Sequence, residues 1–311
     1  MNKKLSILTV AVIAALTMQI EAGQAFASVQ SKESAALSTI TTKSTHAEAV
    51  YNAFLPLLYS GDPLPEAITY MNNNIYAVSS YQATTMVLKL ENAQKAALGT
   101  WEDKFSSSDI QRKLNNVYKP GASITSIAEE IQDIQLRTLL KMAGKSGYKM
   151  ESAEGYFFPV IDYGAYRKYK LYVTNDIRDY ISIMAAESDL PSAKDSGLLI
   201  AWNEVASRAL SQESFIKSYP RSNRISTVKS LYNMYLVDTF YGLDNTPLFH
   251  YDNLEMDLEA QKSYAALLTK HDEERTPYLD KLDGFMKLLK ENGYILDDLA
   301  EQYRSKEIPR D

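Results

Sequence analysis

Residues 85–105 read Thr85-Met86-Val87-Leu88-Lys89-Leu90-Glu91-Asn92-Ala93-Gln94-Lys95-Ala96-Ala97-Leu98-Gly99-Thr100-Trp101-Glu102-Asp103-Lys104-Phe105. Within this stretch Val87, Leu90, Gln94, Ala97, Trp101 and Phe105 recur at three- and four-residue steps. An α-helix turns once in about 3.6 residues, so these side chains share one stripe, apolar in every slot but Gln94. A long helix with one buried stripe needs partner helices, and the helical period dominates from about residue 46 onward. The expected fold class is mainly α, a multi-helix bundle.

Outward from that stretch, Pro120-Gly121 breaks the pattern. A second helix is expected beyond it, with Ser126 and Glu129 spaced as a capping box, a stripe of Ile124, Ile127, Ile131 and Ile134, and a stop near Gly144 and Gly147. Between Tyr148 and Ile161 the character changes to two short extended runs around Gly155, with Pro159 confining the second run to an edge or a bulge. This predicts a small β-hairpin or extended crossover at 148–161, separating an N-terminal helical part (46–147) from a C-terminal one (162–311). A single continuous bundle with an extended crossover is the alternative.

Helical signals then resume. Thr174 suits an N-cap ahead of Ile177, Tyr180, Ile181 and Met184, and Pro191 ends that run. Leu198, Trp202, Val205 and Ala209 mark the next helix, and Ser222 is placed to cap the one after Tyr219-Pro220. Further helices are expected near Asn253, at Thr276-Pro277 with Pro in the first turn, and around Leu296, Leu299 and Tyr303. Residues 242–250 read as a packed Ω-like loop. The phrase Phe215 to Ser222 resembles helix–turn–helix junctions of tetratricopeptide-like arrays, but no self-repeat of roughly 34 residues surrounds it.

The 311 residues carry 33 Lys+Arg against 39 Asp+Glu, with no cysteine. Absence of Cys removes disulfides, thiolate metal sites and cysteine nucleophiles; the net charge of −6 disfavours non-specific nucleic-acid binding. Lys3 and Lys4, the apolar run Leu5 to Met18 and Ala25-Phe26-Ala27 read as a secretory signal peptide over 1–27, cleaved after Ala27. A flexible lead-in over 28–45 follows. No later apolar run approaches the length of a membrane span. The expectation is a secreted, bacterial, extracellular protein, released or held at the surface by non-covalent contacts.

Candidate chemistry is sparse. Gly144-Lys145-Ser146 lacks the upstream glycine of a phosphate loop, where Leu139 stands. His46, His250 and His271 are the whole histidine supply, and neither a Gly-x-Ser-x-Gly elbow nor a His-Glu-x-x-His pair accompanies them. No cofactor and no metal is expected. Glu187 and Asp189 flank the break at Pro191 with Asp195 beyond, and Glu204 follows on the next helix. Two carboxylates on facing elements serve as acid and base on a glycosidic bond when their surroundings split their pKa values. Asp252, Glu255 and Glu259 are expected to share a face of the helix after Asn253, where acidic groups stabilise the positive end of its dipole.

Aromatic density departs furthest from background. Tyr156, Phe157, Phe158, Tyr163, Tyr166, Tyr169, Tyr172 and Tyr180 put 8 aromatics into 25 residues, against a chain average of 11%. Tyr163, Tyr166, Tyr169 and Tyr172 recur every third residue, interleaved with Arg167, Lys168 and Lys170. On a helical or 3₁₀ segment they form a strip. Exposed, Tyr163, Tyr166, Arg167, Tyr169, Lys170 and Tyr172 would bind a ligand such as cell-wall glycan or an anionic envelope polymer. Buried, which is the favoured reading, the strip is an internal interface with each phenol hydrogen-bonded. The leading expectation is a non-enzymatic binding or envelope-associated protein. A secreted hydrolase using Glu187, Asp189 or Glu204 is the alternative, and self-association is a third possibility.

Overall fold

The computed structural model describes residues 45–59, 63–119 and 121–310, so the expected leader and nearly all of the lead-in lie outside the described residues. Helix α1 covers residues 45–57, α2 is Pro63–Asn74 and α3 is Ser80–Phe105. Helices α4 (Ser108–Asn115), α5 (Ile124–Glu130) and α6 (Ile134–Lys145) lead to the hairpin β1 (Tyr148–Ala153) and β2 (Tyr156–Ile161). A 3₁₀ segment, Tyr163–Tyr169, precedes α7 (Asn175–Asp189). Beyond it lie β3 (Ala193–Lys194), β4 (Gly197–Leu198), α8 (Trp202–Ser218), α9 (Ile225–Tyr241), β5 (Gly242–Leu243) and β6 (Thr246–Pro247). Helices α10 (Leu258–Lys270), α11 (Pro277–Glu291) and α12 (Asp298–Glu307) complete the chain. This is a mainly α, multi-helix protein with small two-stranded hairpins.

The founding stripe lies on α3, with Val87, Leu90, Gln94, Trp101 and Phe105 all buried. Ser79 starts that helix with a capping box: its hydroxyl accepts from Gln82 N, and the Gln82 amide oxygen accepts from Ser79 N. The hairpin runs antiparallel in register from Tyr148↔Ile161 to Ala153↔Tyr156. Glu154 (φ 49°) and Gly155 (φ 77°) make its two-residue turn, the left-handed pair that matches strand twist. The Gln111 side chain of α4 both donates to Phe157 O and accepts from Phe157 N, completing the open edge of β2.

Residues 47–311 form one compact unit. One apolar cluster gathers residues from Phe54 to Ala185 and takes in the hairpin through Tyr148, Met150, Phe157 and Ile161; another gathers residues from Ile200 to Ile308. The changeover falls between Ala185 and Ile200, downstream of the hairpin. A smaller cluster of Tyr180, Ile183, Phe215 and Val228 joins α7, α8 and α9. Among the described residues no helix is long and apolar enough to cross a membrane.

Several local expectations are corrected. The helix after Pro120 is two helices, because Ile131 turns extended and Asp133 caps a fresh start; Ile134 is exposed, and the cap of α5 is Ser123 rather than Ser126. Thr174 caps α7 by position only, its hydroxyl being committed to Asp176 and Thr84. Arg224, not Ser222, stands at the α9 N-cap. Helix α10 begins at Leu258 behind Asp257, so Asp252 and Glu255 precede it and share no helical face with Glu259. The expected Ω-like loop contains the β5–β6 hairpin.

Candidate functional site

The third-residue spacing of tyrosines matches a 3₁₀ turn, which eclipses side chains at i and i+3. Asp162 starts that turn by accepting from Ala165 N (3.2 Å). Tyr163, Tyr166 and Tyr169 therefore point the same way, inward against α2 and α3, and all three are buried. The Tyr163 hydroxyl donates to Glu91 Oε1 (2.7 Å), that of Tyr166 to Gln94 Oε1, and that of Tyr169 to Asn72 Oδ1 (2.7 Å). Rings pack in sequence, Tyr163 to Tyr166 at 5.6 Å and Tyr166 to Tyr169 at 5.8 Å between centroids. An exposed strip of these three residues does not form; the internal interface does.

At the centre of that interface is Glu91, 1% exposed. Its Oε1 accepts from Tyr163, from Tyr180 (2.5 Å) and from Lys95 Nζ (2.7 Å), while Oε2 meets the Arg224 guanidinium at 2.7 and 2.8 Å. Burial pushes the carboxyl pKa up, but the hydrogen bonds from Lys95, Tyr180 and Tyr163 and the Arg224 charge outweigh it, holding the pKa below the ordinary value. Burial beside this carboxylate drives Tyr163 and Tyr180 far above the usual phenol range. One turn along, the Gln94 side-chain amide donates to Ser146 O (2.8 Å), and the Gln94 backbone carbonyl accepts from the Tyr148 hydroxyl (2.7 Å).

The remaining members of the proposed strip lie outside. Arg167 reaches over to Asp189 (2.5 Å), Lys170 is half-buried, and Tyr172 is 36% exposed. Lys168 stands 5.1 Å from the Tyr169 ring centroid, its pKa lowered by burial. Leu171 is 90% exposed.

Of the candidate carboxylates, Glu187 and Glu204 are brought together and Asp189 is not. Arg208 of α8 bridges the first two, with Nε 2.9 Å from Glu204 and an N–H nitrogen 3.4 Å from Glu187. The Tyr235 hydroxyl lies 2.7 Å from Glu187 Oε1 and 2.8 Å from Oε2. Burial pushes the Glu187 carboxyl above its ordinary range, with the Glu204 charge adding to the rise and Tyr235 and Arg208 opposing it. Asp238, on α9, is buried as well, and desolvation together with the Glu187 charge pushes it up to about 6. Asp195 sits in the tight β3–β4 turn at φ 51°, where Oδ1 accepts from Glu154 N (3.2 Å).

A groove of about 260 Å³ runs between α7 and α8, lined by Ser182, Ser211, Ser214 and Phe215. Another of about 690 Å³ lies between α2 and the end of α6, lined by Tyr70, Asn73 and Lys145. Glu187, Asp189 and Glu204 line neither. Among the described residues no three His, Cys, Asp or Glu side chains are arranged to hold a metal.

Glu91, Arg224, Arg208, Tyr235 and Asp238 were not singled out by sequence reasoning. The one available signal was Gln94, the polar slot in an otherwise apolar stripe, which marks where α3 turns a hydrogen-bonding face inward. No protein-family model matches the chain, and no curated protein or solved structure is significantly similar to it.

Proposed function

We propose that the chain is an exported, non-enzymatic helical protein that binds a glycan or anionic polymer of the bacterial cell envelope. The observation that carries this reading is a group of exposed aromatic and aliphatic side chains beside the tyrosine turn. Tyr76, Tyr81, Leu171 and Tyr172 are all exposed. The Tyr169–Asn72 bond and the Thr84–Thr174 pair (3.0 Å) hold the segment 169–174 against the end of α2 and the start of α3, so the four lie on adjoining segments. Lys168 and Lys170 supply positive charge alongside. Tyrosine rings stack on sugar faces and ammonium groups pair with phosphate or carboxylate, so the surface suits such a polymer.

The competing hydrolase reading draws on the raised pKa of Glu187, which shares Arg208 with Glu204. Against it, Arg208 and Tyr235 occupy the hydrogen-bonding positions of Glu187, which lines neither groove described above.

Co-sedimentation of the protein with purified bacterial cell wall across a salt series tests the proposal. The expected result is salt-sensitive binding that Tyr76→Ser with Tyr81→Ser abolishes while the fold is retained. Release of soluble sugar or peptide, lost in Glu187→Gln, would replace the binding reading with the hydrolase.

A further inference from the structure

Residues 254–258 and 294–299 lie side by side. Leu296 N donates to Leu254 O (2.9 Å), Met256 N donates to Tyr294 O (2.9 Å), and Glu255 and Ile295 form an antiparallel bridge. Four apolar side chains on these two segments remain open to solvent: Leu254, Leu258 (57% exposed), Ile295 and Leu299 (62% exposed). Tyr251, just upstream, is exposed too. Exposed apolar residues scattered singly are ordinary; this many on two paired segments are not.

The backbone here is unusual. Leu254 (φ 59°) and Tyr294 (φ 64°) both adopt the left-handed conformation that side chains larger than glycine disfavour. Both are locked by hydrogen bonds, Leu254 N donating to His250 O (2.9 Å) and Tyr294 N to Leu289 O (2.7 Å). A fold that holds two large residues in this conformation at one surface keeps a fixed shape there, and such outliers concentrate at binding surfaces.

Charge around the patch is predominantly acidic. Asp252, Glu255, Glu291 and Asp298 are exposed and carry no ion pair among the described residues. Over residues 251–262 and 290–299 the cations are Lys262, already paired with Glu259 at 2.8 Å, and Lys290, next to Glu291 and away from Asp252, Glu255 and Asp298 in sequence. An apolar centre with an unneutralised acidic rim is complementary to an apolar surface with a basic rim.

We propose that this surface docks a cationic amphipathic peptide segment, whose apolar side chains cover Leu254, Leu258, Ile295 and Leu299 while its Lys and Arg residues meet Asp252, Glu255 and Asp298. The site is independent of the polymer-binding surface and gives the chain a second, oppositely charged contact face. A second copy of the chain is a weaker occupant, because two such acidic patches repel each other face to face.

The test is a titration of the full chain with a synthetic helix bearing a leucine face and a lysine face. Leu258→Ser with Leu299→Ser is expected to weaken binding roughly tenfold or more, as is Glu255→Lys with Asp298→Lys. Reversing equally exposed acids elsewhere, Glu102→Lys with Asp103→Lys on α3, is expected to leave it unchanged. Circular dichroism verifies that each variant is folded. Absence of binding, equal losses from both charge reversals, or a concentration-dependent dimer in sedimentation velocity that the leucine substitutions abolish would overturn the proposal.

Discussion

Arg224, at the start of α9, sets its Nε 2.8 Å from Oε2 of Glu91 on α3, across a separation of 133 residues. The same guanidinium reaches Asn92 Oδ1 (2.8 Å) and lies over the Tyr180 ring with 5.8 Å to the centroid. This contact ties the helices of the first apolar cluster to α9, which the small third cluster also joins to α7. An ion pair this deep is worth little against an apolar replacement, but it leaves a costly group behind when broken.

Removing one side of the pair is therefore expected to be severe. Arg224→Met leaves Glu91 buried with only Lys95 as a charged partner, and a loss of about 3 kcal/mol is expected in urea unfolding. The pH response follows from the lowered carboxyl pKa. Its stabilisation is present above the unfolded value of 4.5 and disappears as pH falls through the lower folded value. Glu91→Gln is expected to lose stability near neutral pH and to flatten the acid limb of the melting curve.

Tyr166 and Tyr169 separate the internal role of the tyrosine turn from a surface role. Truncating either to Ala opens a cavity among packed rings, and about 4 kcal/mol is expected for Tyr166→Ala. Tyr166→Phe keeps the volume and loses one hydrogen bond to Gln94, so about 1 kcal/mol is expected. Calorimetric melting of the two variants measures the difference. A Tyr166→Ala protein that melts like the parent would contradict the packing described for this turn.

The α3 stripe was legible because one helix carries its own period, and Gln94 stood out within it. Glu91 was not legible: Leu90-Glu91-Asn92 reads as a solvated edge, and its partners Tyr163, Tyr180 and Arg224 come from 72, 89 and 133 residues away. The three-residue tyrosine spacing predicted a strip on a helical or 3₁₀ segment, and the structure resolves it as 3₁₀; spacing alone is silent on which side meets the core. Asn253 and Asp257 offer similar caps to a helix, and the left-handed Leu254 between them decided for the second. The pairing of Glu187 with Glu204 depends on Arg208 reaching between α7 and α8, a fact of helix packing rather than of local pattern.

Gly147 provides a probe of the Gln94 network. At φ 81° it ends the turn after α6, and a methyl group there would overlap the Gln94 side-chain amide and press on Ile68. Gly147→Ala carries the left-handed penalty of about 1 kcal/mol plus the displacement of Gln94 from Ser146, so about 2–3 kcal/mol is expected. In a Gln94→Ala background the overlap with the amide is gone, leaving the conformational part and the milder contact with Ile68. A double-mutant cycle in urea should give a coupling of at least about 1 kcal/mol, whereas simple additivity would mean that the two side chains do not meet.

Asp238 turns the pH argument the other way. Its folded pKa is about 6, against an ordinary value of 3.8, because desolvation and the Glu187 charge both disfavour the ionised form. The folded chain thus binds this proton more tightly than the unfolded chain does. The penalty is absent below about pH 4, grows as pH rises between the two values, and is complete above the folded one. Converted at about 1.4 kcal/mol per pKa unit, it reaches at most about 3 kcal/mol. Glu187, raised for the same primary reason, slopes in the same direction, while Glu91 acts only below its unfolded value of 4.5. Between about pH 5 and 7.5 the melting temperature is therefore expected to fall as pH rises, and Asp238→Asn should reduce that slope and raise stability at the upper end. An unchanged slope in Asp238→Asn would mean that the Asp238 carboxyl reaches enough water to titrate normally, and would move the source of any pH response to Glu187.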